Sequence, residues 1–447
     1  MCQGGREMHA IVLWIGVVLL QQPLSVTVGG VDLEWRAGTI TGFHAGGRQW
    51  LKDPGVDLGA IVRAGAGDLA LGPGTLATEG EWTVLSWPAA EGRDRGRLTL
   101  RVKAGGPNEI ILEGDGDCPD GGLTGLRWGL ASLPADWKIL VPGNSGLAFD
   151  ATGPTDWGGT WPMNWEVQFV VAQGPGHGLW VWAEDAANRF KSLRVQRRAD
   201  GWRLLFTAEN FAPWTEKKEC ELGRWHVATF EGDWRVPARR YLDWARTNRD
   251  LQPLEEHGPA WVKNIRCVAI CQPDTEFLEA LARRVDASQT LLYVPNWRRD
   301  GYDRNYPDYT AIDGFGDFVE AAHRLGFRVM VHVNYFGCDP KNPEYARFEK
   351  YQVVDPYSGE KQWWVYPFPP EEPDIKFAYI NPAAAEWRSL IVERFREVVT
   401  HYRVDALHLD QTLCIFNDRN GLIGGMSMIE GNLALHRALR EALPDVA

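Results

Sequence analysis

Two patterns of hydrophobic and polar positions divide the chain. From about Val26 to Phe230, short apolar runs are broken at close intervals by glycine and proline. Val31–Trp35, Trp82–Trp87, Arg97–Val102, Glu109–Glu113, Glu166–Val171, Gly178–Trp182 and Trp202–Thr207 each read as strands. Turn signals such as Gly105-Gly106-Pro107, Pro142-Gly143-Asn144 and Gly174-Pro175-Gly176 separate them. Many short strands at this spacing, with no helical pattern of useful length between them, predict a β-sandwich over residues 26–232. Residues 233–257 then read as a linking helix, because Ala238, Tyr241, Leu242 and Ala245 recur at helical spacing.

From 258 to 447 strands alternate with amphipathic helices. The strands are expected at Ile265–Ile270, Thr290–Pro295, Phe327–Tyr335 and Val404–Leu409. The helices are expected at 275–285, 315–325, from Pro382 to about Tyr402, and 428–443, with Gly326 closing the second and Asn381 capping the third. An insertion of about 45 residues follows the third strand, long enough to suggest a functional or docking role. Apolar residues on both strand faces imply parallel strands covered by helices. No glycine-rich phosphate turn follows any strand, which argues against a nucleotide-binding open sheet and for a (β/α)8 barrel of TIM type. A full barrel takes about 250 residues and eight units, so the four units here predict its first half, in a truncated chain.

In a barrel, alternate side chains enter the lumen and those at the C-terminal strand ends line the site. Val329, Val331 and Val333 then face the helices, while Met330, His332 and Asn334 face inward. The next strand turns Leu407 and Leu409 outward and Ala406, His408 and Asp410 inward. Two neighbouring strands thus deliver His332, Asn334, His408 and Asp410 to one mouth. A carboxylate there can attack or stabilise an oxocarbenium-like centre, which makes Asp410 the candidate catalytic residue. The loop after the second strand interleaves aromatic and acidic residues, as a sugar requires: Trp297 for its face, Asp300 and Asp303 for its hydroxyls. A second aromatic cluster, Trp363, Trp364, Tyr366 and Phe368, suits either a subsite wall or packing within the insertion.

Composition narrows the ligand. The 447 residues are 45% hydrophobic and 24% charged, with net charge −12 and no basic stripe, which excludes a nucleic-acid partner. The 22 tryptophans suit sugar faces as well as protein cores. Seven widely spaced cysteines indicate neither a disulfide scaffold nor a zinc site. Arg6 followed by the apolar run Ile11–Leu20 is too short to span a bilayer and fits an export signal over residues 1–25, hence a secreted or periplasmic protein.

The segments YVPNWRRDGYDRNYPDY, VMVHVNYF and FAYINPAAAEWRSLIVERFREVVTHYRVDALHLDQ resemble successive strands of uncharacterised glycoside-hydrolase-like barrels. Those barrels are related to the α-galactosidase (melibiase) and endo-α-N-acetylgalactosaminidase barrels. FEGDWRVPARRYLDWA resembles the linker that joins their galactose-mutarotase-like β-sandwich to the barrel. The resemblance implies retaining hydrolysis of α-linked glycosides on an oligo- or polysaccharide, with Asp410 as nucleophile. It implies an acid/base on a later strand, beyond this chain. No organic cofactor is implied and no residue is assigned as a metal ligand, with a structural Ca²⁺ left open. A non-catalytic carbohydrate-binding protein is the alternative. A sugar isomerase or epimerase fits less well, since His332 and His408 are too few for its usual metal set.

Overall fold

The computed structural model describes residues 22–65, 67–90, 95–249, 251, 258–366 and 375–447. The apolar run at 11–20 and Phe368 lie outside the described residues. Residues 24 and 25, which the sequence reading assigns to the export signal, belong instead to a strand, Leu24–Val28, paired with Val31–Arg36.

Two ten-stranded, largely antiparallel sheets make up the N-terminal half among the described residues. In Val31–Arg36 the inward residues Val31, Leu33 and Trp35 are buried while Asp32 is exposed, the alternation that a half-buried strand requires. Tryptophans from the two sheets meet in one core: Trp35 on Trp87 at 6.3 Å and Trp128 on Trp225 at 5.5 Å between ring centroids. Trp35, Trp87, Trp128, Trp165, Trp180, Trp202 and Trp225 are all wholly buried. Here the tryptophan richness is core packing, each ring removing on the order of 150–250 Å² from water. The helix Arg235–Asn248 buries Tyr241 and Ala245 against Phe169, Trp180 and Trp182, forming a smaller second core on the outer face of one sheet.

In the C-terminal half four parallel strands, Cys267–Ile270, Thr290–Val294, Arg328–Asn334 and Ala406–Asp410, lie side by side in chain order. Helices Thr275–Ala282, Phe315–Leu325, Ala385–Tyr402 and Met428–Ala442 accompany them. Val329, Val331 and Val333 are fully buried in the core that these helices share. Asp405 sets the register of the last pair. Its carboxylate accepts from the Val329 amide at 2.8 Å, Arg328 at 2.6 Å and His323 at 2.8 Å. His332 consequently lies opposite His408, and Asn334 opposite Asp410. Ala447 runs alongside the fourth strand, bonded to Asp405 and Leu407.

The third helix begins later than expected. Asn381 does not cap it: its Oδ1 accepts from the Ala383 amide and its Nδ2 donates to Asp418, and the helix starts only at Ala385. Asp418 also accepts from the Val354 amide, tying the insertion to the segment that follows the fourth strand. Within the insertion, Trp363 packs with Tyr345 and Lys376, and Trp364 with Phe377, so these rings brace the insertion itself. Asn417 bridges the two halves, accepting from the Ala212 amide at 3.0 Å and donating to the Asn210 carbonyl at 2.8 Å. Cys220, Cys267, Cys271, Cys338 and Cys414 are free thiols.

Candidate active site

The inward row of the parallel sheet ends in a cluster. Asp410 closes the fourth strand with its side chain about a quarter exposed, while His332 on the neighbouring strand is buried. His332 Nε2 stands 4.0 Å from Asp410 Oδ2 and 3.5 Å from Asp303 Oδ1. Its Nδ1 is 2.9 Å from the Tyr293 hydroxyl. His408 stacks on His332 at 5.4 Å between centroids. The ring of Tyr302 lies over the imidazole of His332 at 4.6 Å, itself 41% exposed.

Asp303 comes from a loop that folds around a buried cation. The guanidinium of Arg298 donates to the carbonyls of Gly301, Arg304 and Asp308 and rests 3.9 Å from the Tyr306 ring centroid. Wrapped this way, the chain takes positive φ at Gly301, Asp303 and Asn305. Asp303 itself is 2% exposed and accepts from the Tyr306 hydroxyl. Aspartate and asparagine tolerate the left-handed region better than bulkier residues, which suits them to this turn.

Burial raises the pKa of Asp410, the Asp303 charge adds to the rise, and His332 opposes it. Burial lowers that of His408, with His332 contributing. Burial, then the Asp410 and Asp303 charges, pushes the Tyr293 phenol up to about 12, so it stays protonated. The mouth therefore offers two closely spaced carboxyl groups, two imidazoles and an aromatic face. It can hold sugar hydroxyls, and it can present one carboxylate to an electrophilic carbon. Among the described residues, Asp303, His332 and Asp410 also have donor atoms within 4.8 Å of one another that could hold a metal ion. The sequence reading named no metal ligands.

Of the residues expected at the site, the structure brings Asp303, His332, His408 and Asp410 together. Trp297 is corrected to a core residue: wholly buried, it is walled in by Phe315 and Tyr402 and donates to the His332 carbonyl at 2.8 Å. Asn334 spends its carboxamide on the protein itself. Its Oδ1 accepts from the Phe336 and Gly337 amides and its Nδ2 donates to Gln411, which Tyr379 holds from the other side. It positions the residue that follows Asp410. Asp300 accepts from Asn305 at 2.8 Å and lies beside Arg299, bracing the loop apart from the cluster. Asn334→Ala strands two buried amides, and the expected loss is on the order of 2–4 kcal/mol, read as a fall in the urea midpoint.

Tyr293, Tyr302 and Arg298 were missed. Tyr293 was within reach of the strand pattern, since Leu292 and Val294 are fully buried and alternation sends the residue between them to the opposite row. Nothing local distinguishes Tyr302 from Trp297 as the exposed ring.

Residues 223–419 match a family described only as a domain of unknown function (DUF6259). No curated protein matches the chain. Solved structures do. Ligand-free α-N-acetylgalactosaminidase NagBb from Bifidobacterium bifidum superposes with a TM-score of 0.70 at 14% identity, covering 94% of this chain and 76% of that one. Its Gal-NHAc-DNJ complex gives 0.72 at 13% identity, covering 95% and 78%. The fold is shared with a glycosidase. The GH36 α-galactosidase AgaA from Geobacillus stearothermophilus aligns more loosely, with a TM-score of 0.48 at 10% identity over 95% of this chain and 71% of that one.

Proposed function

We propose that the protein is a retaining α-glycoside hydrolase with Asp410 as nucleophile. In this reading residues 26–232 form a galactose-mutarotase-like β-sandwich, 233–257 the linker, and 258–447 the opening half of a (β/α)8 barrel. The observation that carries it is the Asp410 carboxylate at a parallel-strand end, inside a mouth shared with Asp303, His332 and His408. Asp303 and His332 meet ring hydroxyls, and Tyr302 takes over the stacking role first given to Trp297. The carboxylate of Asp410 attacks the anomeric carbon as the aglycone oxygen departs, and water then cleaves the glycosyl ester. Retention requires a second carboxyl group about 5–5.5 Å away as acid and base. We assign that role to none of the residues discussed above. The glycosidase fold, met also in an α-N-acetylgalactosaminidase, supports an α-linked glycoside as substrate.

A nitrophenyl leaving group departs without protonation, so aryl α-glycosides test the nucleophile independently of the acid. Incubation with nitrophenyl α-galactoside and α-N-acetylgalactosaminide is expected to release nitrophenolate, and proton NMR to detect the α-anomer as first product. Sugar binding without release would favour the non-catalytic alternative. A β-anomer formed first would exclude a covalent step at Asp410.

A further inference from the structure

At the floor of the mouth His332 Nε2 and one carboxylate oxygen each from Asp303 and Asp410 lie within 4.8 Å of one another. His332 is 1% exposed, yet this nitrogen has no hydrogen-bond partner. Its separations of 3.5 and 4.0 Å from the two carboxylates are too long for a hydrogen bond. Buried polar atoms rarely go unpaired, so the unpartnered nitrogen calls for a ligand. The other ring nitrogen is held by the Tyr293 hydroxyl at 2.9 Å. With the ring proton assigned to that bond, the lone pair sits on Nε2 and points between the carboxylates. An outer hydrogen bond that fixes the tautomer is the usual support of a metal-binding histidine.

The spacing suits a small transition-metal ion. Zinc bonds of 2.0–2.2 Å in a tetrahedral site set ligand atoms about 3.3 Å apart. The His332–Asp303 pair is near that distance already, and the partly exposed Asp410 carboxylate needs only a small inward rotation. One imidazole with two carboxylates and a position open to the mouth is a zinc set, whereas calcium and magnesium prefer oxygen ligands throughout. We propose that the sugar-free mouth binds Zn²⁺ through Asp303, His332 and Asp410. Resting on the glycosidase reading, it follows that the ion and the glycoside compete for Asp410, making Zn²⁺ a competitive inhibitor.

Cobalt(II) reports on such a site directly. The full chain, with thiols blocked by N-ethylmaleimide because Cys267 is exposed, is titrated with Co²⁺ without sugar. The expected result is one ion per chain with visible ligand-field bands of low coordination number, displaced by Zn²⁺. Tyr293→Phe should weaken binding about 10–100-fold, and Asp410→Asn should abolish the bands. His44→Ala, which removes the exposed His44–Asp32 pair on the N-terminal sheet, should change neither. Absence of bands, or bands lost in His44→Ala and kept in Asp410→Asn, overturns the site. In turnover assays Zn²⁺ should raise KM and leave kcat unchanged. Bands that behave as stated in a protein cleaving no glycoside would uphold the metal site and sink the sugar reading. Glycoside turnover without bands would do the reverse.

Discussion

Asp410→Asn is expected to lower kcat/KM for an aryl α-glycoside about a thousand-fold or more, the scale of losing a nucleophile that acts with its neighbours as a unit. The substitution keeps shape and hydrogen-bonding capacity while removing the negative charge that attacks. Its effect on stability should run the other way. Burial holds the pKa of Asp410 above the ordinary 3.8, so the folded chain binds this proton more tightly than the unfolded one. That stabilisation is complete below the ordinary value and is lost as pH rises through the folded pKa. At neutral pH the wild-type site therefore carries the full cost of a buried charge, and the asparagine variant should melt at the same temperature or higher. The same shift puts the acid limb of the pH–rate profile above 3.8, because only the ionised carboxylate attacks. A variant that lost both activity and Tm would mark Asp410 as a structural residue.

The second large effect is on folding. Trp297→Ala should destabilise the protein by about 3–5 kcal/mol, the cost of an unfilled cavity left by a large ring. The indole is fully buried between Phe315 and Tyr402, and its N–H satisfies the His332 carbonyl. Trp297→Phe retains most of the packing and loses mainly the hydrogen bond, for about 1 kcal/mol. Chemical denaturation separates the two variants. A sugar platform at this position would show instead as weakened binding with unchanged stability. Tyr302→Ala is the variant expected to have that profile.

The contrast between these two aromatics shows what a linear pattern can and cannot carry. Strand alternation has a fixed period of two, so the rows of Arg328–Asn334 and Ala406–Asp410 could be assigned from order alone. His332, His408 and Asp410 followed directly. Asn334 lies on the expected row, yet its carboxamide is consumed by the turn amides of Phe336 and Gly337, a local competition that alternation does not encode. The loop from 296 to 309 has no period at all. Its shape depends on Arg298 satisfying three carbonyls at once and on Tyr306 holding the Asp303 carboxylate from within. The late start of the third helix has a similar origin, since Asn381 is held by Asp418, 37 residues away. In the N-terminal half six of the seven expected strands lie within observed ones, while Glu166–Val171 is strand only from Phe169 onward. Many short neighbours, such as Arg48–Leu51 and Lys138–Val141, are too brief to stand out before their pairing partners are known.

Asn417 lies seven positions beyond Asp410 and is clamped to the backbone of Asn210 and Ala212. The segment that leaves the fourth strand is therefore seated on the N-terminal half, so its path depends on a surface built from a distant part of the chain. Chimaeras exchanging N-terminal halves between relatives would need to carry both sides of that clamp, or the tail of the fourth strand would be held only from the C-terminal half, through Asp418.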